Sequence, residues 1–204
     1  MSTLLFYNFK GGVGKTTISV LAADHFSRAG KKVLLVDLDA QASATLFFEN
    51  SYGAITPTRS LFNSLQKESL RPSICHLDDN LDLIPGDWDM SLWNQTLEKL
   101  PQRDRNLVLK HFLEPLQNDY DYIILDVPPT LSTLVNNAVL ASDYIILVLQ
   151  TQSSSYEGVL RTAKYLSQLR NDYNANFKLL GIVLYLVSKR ANSDTSIAKE
   201  ARKT

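Results

Sequence analysis

The chain has 204 residues, of which 45% are hydrophobic, and its 21 basic residues balance its 21 acidic ones. This length suffices for one α/β domain with a sizeable core, and the balanced charge predicts neither nucleic acid nor a membrane as a partner, so any such contact must be a local patch. The single cysteine, Cys75, excludes an internal disulfide and a four-cysteine metal or iron–sulfur site within one subunit.

One domain is expected over residues 1–204, because no Pro-, Gly- or Ser-rich linker divides the chain. The first apolar run, residues 3–7, passes directly into a glycine-rich loop and does not resemble a leader segment. No run reaches the roughly 18 apolar residues of a transmembrane helix. With the cysteine content, these features predict a cytoplasmic protein.

The glycine-rich loop is the most informative motif of the chain. Residues 10–17 read Lys-Gly-Gly-Val-Gly-Lys-Thr-Thr. The usual phosphate-binding loop, G-x-x-x-x-G-K-[ST], needs a glycine where this chain has Phe9, and this loop instead carries an additional lysine, Lys10. The motif predicts a phosphate-binding loop of a deviant type, and the alternative is a glycine-rich turn that binds nothing.

Each residue type in the loop suits a nucleoside triphosphate. The glycines lack a Cβ, so their backbone N–H groups can approach phosphate oxygens closely. Lys15 supplies charge for the β and γ phosphates, the Thr16 hydroxyl suits Mg²⁺, and a helix starting near Thr16 directs its positive end at the anion. The predicted nucleotide-binding residues are Lys10, Gly11, Gly12, Val13, Gly14, Lys15, Thr16 and Thr17.

A second group of polar residues follows the next predicted strand. Helical spacing of apolar residues ends at Gly30, and residues 33–37 form a continuous apolar run typical of a buried parallel strand. Residues just past the carboxyl ends of such strands line the ligand crevice, so Asp37 and Asp39 should face the loop. We interpret Asp39 as a water-positioning acid, and the alternative is that it caps a helix beginning near Ala42.

A third carboxylate ends another apolar strand. Residues 122–129 read Tyr-Ile-Ile-Leu-Asp-Val-Pro-Pro. Asp126 matches the strand-end carboxylate that approaches Mg²⁺, usually through a coordinated water, and the two prolines prevent the strand from continuing. Alone, an apolar strand that ends in aspartate is weak evidence for a nucleotide site. Here it is the third such motif, after the glycine-rich loop and the segment with Asp37 and Asp39. Thr16 and Asp126 are the predicted metal residues.

The remaining segments complete an alternation of strands and helices. Residues 81–86, 144–149 and 178–186 read as strands, and an amphipathic helix spans 156–170. Residues 50–80 are polar and weakly periodic and predict a surface excursion with a helix near 61–66. The alternation predicts right-handed βαβ units in an α/β, doubly wound, mainly parallel sheet with helices on both faces.

Five motifs, in order, resemble the ParA/MinD family of deviant Walker A ATPases, and most of all the short Soj-like ParA proteins of plasmid and chromosome partitioning. They are the loop at 10–17, Asp-Leu-Asp-x-Gln at 37–41, Leu-Asp-Leu-Ile-Pro at 81–85, Leu-Asp-x-Pro-Pro at 125–129 and the segment 150–158. The chain departs from the family pattern at Ala40, Ser132 and Val148, none of which has a phosphate or metal role.

The resemblance implies a slow ATPase with ATP and Mg²⁺ as cofactors, stimulated by a ParB-like activator protein. Lys10 resembles the signature lysine that reaches the partner's phosphates in an ATP-dependent homodimer, Lys15 the lysine of the same subunit's phosphates, and Asp39 the water-positioning residue; these three are the predicted catalytic residues. A cation beside Lys15 is also costly unless anionic charge lies between them. The alternative for Lys10 is a solvated surface lysine.

The sequence says less about what the predicted ATPase binds besides nucleotide and its own second copy. From residue 178 onward the chain has six basic residues and two acidic ones. This excess of positive charge fits non-specific DNA binding and nucleoid association, but also an ordinary solvated helix face. A MinD-like membrane-associated ATPase and a ParA-like ATPase that positions another cargo are the alternatives. We expect the chain to lack C-terminal helices of the family, and the nine residues before Lys10 leave no room for a helix-turn-helix domain.

Overall fold

A computed structural model describes residues 1–67, 69–150 and 153–185. The strands are β1 Ser2–Tyr7, β2 Val33–Asp37, β3 Cys75–Asp78, β4 Leu81–Ile84, β5 Tyr122–Asp126, β6 Tyr144–Gln150 and β7 Lys178–Tyr185. The helices are α1 Lys15–Arg28, α2 Ser43–Tyr52, α3 Leu61–Leu65, α4 Trp93–Leu97, α5 Val108–Leu113, α6 Thr133–Ala141 and α7 Ser153–Tyr173. Short 3₁₀ turns lie at Arg71–Ser73, Trp88–Leu92, Asp104–Asn106 and Glu114–Leu116.

The strands form one sheet of seven in the order β3-β4-β2-β5-β1-β6-β7. Every neighbouring pair is parallel except β3 and β4. The chain passes from β5 to β6 across the central strand β1, so the order reverses there, and ligands bind at such switch points in open α/β sheets. The prediction of a doubly wound, mainly parallel sheet is confirmed.

Two apolar clusters cover the two faces of the sheet. Successive side chains of β1 alternate between them: Leu5 and Tyr7 join the cluster of α6 and α7, and Leu4 and Phe6 join that of α1 and α2. Full burial of such a side chain contributes about 1.5–3 kcal/mol. Because β1 is buried on both faces, the loop that follows it starts from a rigid anchor.

Within residues 50–80 the structure differs in part from the sequence-based expectation. The helix predicted near 61–66 is present as α3, capped by the Ser60 side chain, which accepts from the backbone N–H of Asn63. The same segment also contains β3, an antiparallel edge strand that was not predicted. Its four residues alternate in burial, which is too short a period-2 signal to stand out from the surrounding polar sequence.

The predicted strand at 178–186 is confirmed as β7 up to Tyr185. The basic residues from 189 onward, together with the expectation about missing C-terminal helices, concern positions outside the described residues. The family motif at 150–158 lies partly outside them as well.

Candidate active site

The glycine-rich loop joins β1 to α1, and a buried asparagine fixes its start. Asn8 is fully buried, and its Nδ2 donates to the backbone oxygen of Val148 on β6 at 2.8 Å. Its Oδ1 accepts from the backbone N–H of Lys10 at 3.0 Å. One side chain therefore ties the beginning of the loop to the neighbouring strand.

Two glycines of the loop have backbone conformations that other residues rarely adopt. The φ angle is 72° at Gly12 and 94° at Gly14, and Gly14 is the residue that precedes the first turn of α1. Both lie in the left-handed region, where a Cβ is strained. The first N–H groups of α1 have no partner within the helix, so this end of α1 is suited to an anion.

Lys15 begins α1 and is only 6% exposed. Its Nζ donates to the backbone oxygen of Lys10 at 3.2 Å. Burial lowers the pKa of Lys15, while the carboxylates of Asp126 and Asp39 act in the opposite direction. An ammonium group held in a buried loop is stabilised further by any anion that enters the loop.

Asp126 ends β5 and is fully buried behind the loop. Its Oδ1 accepts from the Ser19 hydroxyl at 3.1 Å, and the nearby Thr16 hydroxyl acts to lower the pKa of this carboxyl. Its Oδ2 has no hydrogen-bond partner in the part of the chain that the structure describes. Burial, and next the nearby Asp37, raise the pKa of Asp126 to about 7. A buried carboxylate oxygen without a donor suits a cation or the water that a cation carries.

Asp37 has a different role from the one that its position predicted. Its carboxylate is fully buried and accepts from the backbone N–H of Thr45 at 2.9 Å, the Thr45 hydroxyl at 2.8 Å and the backbone N–H of Asp39 at 3.1 Å. Burial nevertheless raises its pKa to about 6. Asp37 therefore does not line the crevice, because it fixes the first turn of α2 and the chain at Asp39.

Asp39 is half-buried and faces the cavity beside the loop. Its Oδ1 accepts from the backbone N–H of Gln41 at 3.0 Å, which closes a local turn. The residue that precedes α2 is Ala42, with φ 51° and no side-chain cap. The capping alternative for Asp39 is therefore not realised, and its carboxylate stays at the cavity.

The cavity at the carboxyl edge has a volume of about 490 Å³, within the range of small-molecule sites. Among the predicted residues, Lys10 and Gly11 belong to the loop but not to the described lining, and Val13 is buried beneath the loop. The lining residues are Gly12, Gly14, Lys15, Thr16, Thr17, Asp39, Ser43, Phe47, Val127, Pro129 and Tyr185.

Several supporting residues were missed from the sequence. Ser19 could have been found, because it lies three residues after Thr16 and therefore on the same face of α1. Thr45 and Asn8 carry weaker signals, since their partners, Asp37 and Val148, lie on strands that only the folded sheet brings close. Tyr185 carried no readable signal, because a β-bulge decides which face of the sheet it occupies.

A strand, a left-handed glycine loop, a buried lysine at a helix start and a strand-end aspartate together define a P-loop nucleotide hydrolase domain. The AAA_31 family, described as an AAA domain, matches residues 1–179. The sporulation initiation inhibitor protein Soj of Bacillus subtilis is 31% identical over 96% of this chain and 77% of its own length. The chromosome-partitioning ATPase Soj of Thermus thermophilus is 34% identical over 90% of this chain and 68% of its own.

Solved structures agree with the sequence relatives. Cobyrinic acid a,c-diamide synthase from Mycobacterium smegmatis, with an ATP analogue and magnesium, superimposes with a TM-score of 0.86 at 28% identity, over 100% of this chain and 82% of that one. A plasmid partition protein of Borrelia burgdorferi bound to AMPPNP gives 0.83 at 26% identity, over 100% and 81%. This chain belongs to the ParA/MinD family of ATPases and is similar to Soj.

Among residues 1–67, 69–150 and 153–185, no helix combines the length and the apolar character that crossing a bilayer requires.

Proposed function

We propose that this chain is an ATP- and Mg²⁺-dependent dimerising switch that partitions plasmid or chromosomal DNA by non-specific DNA binding in its ATP state. The observation that carries the nucleotide part is the Oδ2 of Asp126, which lies fully buried behind the loop of Lys15 and Thr16 and has no hydrogen-bond partner among the described residues. A buried carboxylate of this kind is costly for a domain that binds nothing. A magnesium nucleotide removes that cost.

The residues of this chain divide the chemistry between them. The N–H groups at Gly12 and Gly14 and the Lys15 ammonium bind the phosphates and stabilise the charge of the transferred phosphoryl group. Mg²⁺, held by Thr16 and by Asp126 through water, would neutralise phosphate charge. Asp39 orients the attacking water at the terminal phosphate. The described residues contain no cluster of three or more His, Cys, Asp or Glu that could hold a metal, which fits an ion bound mainly by phosphate and water.

Dimerisation is supported by the surface around the site. Phe47, Trp88 and Leu131 follow β2, β4 and β5 at the carboxyl edge of the sheet, with 46%, 68% and 64% of their surfaces exposed. Large exposed apolar side chains at one edge favour association with another protein surface. A second copy that closes over the nucleotide would cover them, and Lys10 of each copy would then contact the other's phosphates, as the family resemblance implies.

The DNA and partner assignments are supported by the relatives. The relatives and solved structures include a chromosome-partitioning ATPase and a plasmid partition protein. A ParB-like protein that accelerates hydrolysis would release the dimer, so that the chain acts as a timed switch. DNA affinity from lysine and arginine contacts to phosphates falls steeply with salt, which gives the assignment a distinctive signature.

The chain offers its own reporter for dimerisation. It has two tryptophans, of which Trp93 is 2% exposed and Trp88 is 68% exposed. In the Trp93→Phe variant, Trp88 is the remaining fluorophore, and we expect its emission to shift to shorter wavelength with ATP and Mg²⁺ but not with ADP. Lys15→Ala should abolish the shift by loss of binding, and Lys10→Ala by loss of the dimer with binding retained.

Light scattering and gel-shift assays complete the test. With ATP and Mg²⁺ the mass should double, and DNA should be retained at low salt and released at high salt. A monomer that hydrolyses ATP without changing mass would contradict the proposal. ATP-dependent flotation with liposomes, without DNA retention, would replace partitioning with the membrane-associated alternative.

A further inference from the structure

The chain leaves strand β4 beside the segment that carries Asp39. β4 pairs with β2 as far as Ile84, and Pro85, which follows, has no backbone N–H with which to continue the ladder. The backbone N–H of Gly86 donates to the hydroxyl of Thr45 in α2 at 2.9 Å, and this hydrogen bond is buried. The end of β4 is therefore attached to the first turn of α2.

The Thr45 hydroxyl connects the ends of two strands. It accepts from Gly86 and donates to Oδ2 of Asp37 at 2.8 Å, and the backbone N–H of Thr45 donates to the same oxygen at 2.9 Å. Oδ1 of Asp37 accepts from the backbone N–H of Asp39 at 3.1 Å. One chain of hydrogen bonds thus runs from the end of β4, through Thr45 and Asp37, to the backbone of Asp39.

Gly86 also approaches the segment of Asp39 directly. A Cβ built on Gly86 would lie 2.8 Å from the backbone oxygen of Asp39 and 2.9 Å from Cγ of Asp37. Carbon atoms in van der Waals contact lie about 3.5–4.0 Å apart, so a side chain at this position would displace its neighbours. The Asp39 oxygen accepts from the backbone N–H of Ala42 at 2.9 Å, and Asp37 accepts three hydrogen bonds. Neither group can yield without moving the whole turn.

The position of the Asp39 carboxylate depends on this backbone. Its Oδ1 accepts from the backbone N–H of Gln41 at 3.0 Å, so the side chain is fixed to its own turn. A displacement of the turn therefore moves the carboxylate with respect to the cavity. A misplacement of about 1 Å in a reacting group can cost roughly 100-fold in rate. Neither Thr45 nor Gly86 is among the described residues that line the cavity.

We propose that Thr45 and Gly86 are positioning residues for ATP hydrolysis, which hold the backbone of Asp39 so that its carboxylate orients the attacking water. Thr45 acts through its hydrogen bonds, and Gly86 acts through its N–H and its lack of a side chain. This inference rests on the proposed function, since it assumes that Asp39 orients that water. Because both residues act through Asp39 and not on the phosphates, their loss should lower turnover without lowering ATP affinity.

Two substitutions disturb this support from opposite sides. Gly86→Ala introduces a methyl group against the Asp39 oxygen, and Thr45→Val replaces the hydroxyl with a methyl group. We expect single-turnover hydrolysis to fall about 100-fold in Gly86→Ala and about tenfold in Thr45→Val, with ATP affinity within about twofold of the wild type. Thr45→Ser retains the hydroxyl and should restore the rate. Thr3→Val makes the same change at a buried threonine near the start of β1, and it should alter neither quantity.

A double-mutant comparison tests whether the effect passes through Asp39. In an Asp39→Ala background, adding Gly86→Ala should change the remaining rate by less than about twofold, because the carboxylate that Gly86 positions is already absent. A further loss as large as in the wild-type background would overturn the inference. A parallel loss of ATP affinity would also overturn it, because the two residues would then support the site in general.

The remaining outcomes separate this inference from the proposed function. A wild-type rate in folded Gly86→Ala or Thr45→Val, beside a slow Asp39→Ala, would overturn the inference alone, and so would a Thr45→Ser rate as low as that of Thr45→Val. Circular dichroism checks the fold, and if Gly86→Ala did not fold, the two Thr45 variants would decide. If the wild type bound ATP no better than Lys15→Ala, the proposed function would fail as well.

Discussion

The two edges of the sheet contain cavities of similar size, but the carboxylates at these edges differ in how fully they are hydrogen-bonded. At the carboxyl edge Asp126 is fully buried with one oxygen lacking a partner among the described residues. At the amino edge, a cavity of about 370 Å³ includes Asp82, whose two oxygens bond to His76 Nδ1 and to the Tyr120 hydroxyl, each at 2.6 Å. Asp119, in the same cavity, pairs with Arg71 at 2.8 Å.

The difference separates a ligand site from a structural network. At the amino edge the carboxylates of Asp82 and Asp119 are already paired within the protein, so neither requires a ligand to satisfy it. At the carboxyl edge Lys15 and Asp126 are both desolvated by burial, and Oδ2 of Asp126 has no hydrogen-bond partner among the described residues. A cation and an anion bound together, as in a magnesium nucleotide, would stabilise both buried charges. Cavity volume alone would not have distinguished the two edges.

The largest expected effect concerns Asp39, which lines the carboxyl-edge cavity. Asp39→Ala should lower kcat for ATP hydrolysis about 1,000-fold and leave ATP affinity nearly unchanged, because the side chain acts on the attacking water. The ATP dimer should then persist. Single-turnover hydrolysis and nucleotide titration measure the two quantities separately, and a parallel loss of binding would assign Asp39 a structural role instead.

Lys15→Ala should weaken ATP binding about 100-fold through loss of charge-assisted hydrogen bonds to phosphate. Unfolding of the nucleotide-free protein should not become easier, since burial of the ammonium is unfavourable in that state. Lys32→Ala is the matched control at the amino edge, where Lys32 lines the other cavity and is exposed. Calorimetric ATP titration should separate the two variants clearly, and equal affinities would remove the distinction between the edges.

Asp82→Ala should affect stability and not nucleotide binding, lowering the free energy of unfolding by about 2 kcal/mol because the half-buried Tyr120 hydroxyl loses its charged acceptor. ATP affinity and turnover should stay unchanged. Urea unfolding monitored by circular dichroism measures the first effect, with the exposed neighbour Asp79→Ala as control. An altered ATPase rate in a folded Asp82→Ala protein would mean that the amino edge takes part in function.

The smallest effect is a pH dependence of the nucleotide-free protein. With the pKa of Asp126 raised to about 7, the folded state binds this proton more tightly than the unfolded state, whose pKa is about 3.9. Stability from this group therefore falls as pH rises from about 4 to about 7. Between pH 6 and pH 8 the loss should be about 1 kcal/mol.

Asp126→Asn removes this titration, so its unfolding free energy should vary less over the same interval. Asp37, with a pKa raised to about 6, contributes in the same direction at lower pH and remains in the variant. An unchanged pH slope in Asp126→Asn would show that the carboxylate does not titrate in this range. Adding Mg·ATP should reduce the slope in the wild type, because bound Mg²⁺ favours the ionised carboxylate.

Local patterns were sufficient for the fold and for the centre of the site. Strands buried on both faces read as continuous apolar runs, as in β2 and β5, and the loop at 10–17 has a composition that few other structures require. Parallel strands also place their carboxyl ends at one edge, so Asp39 and Asp126 could be assigned to the same crevice before any contact was known. The short, polar strand β3 lacked such a pattern.

Long-range pairing decided the rest. Asp37 and Asp39 stand two residues apart at the end of one strand and look alike in the chain, yet three hydrogen bonds to Thr45 and Asp39 occupy Asp37 and leave Asp39 at the cavity. A single extra residue in β7 turns Tyr185 onto Gly14. Patterns of burial can be read locally, because the polarity of each residue reflects whether that residue faces solvent or the core. Which donor meets which acceptor depends on segments far apart in the chain, and only the assembled sheet brings them together.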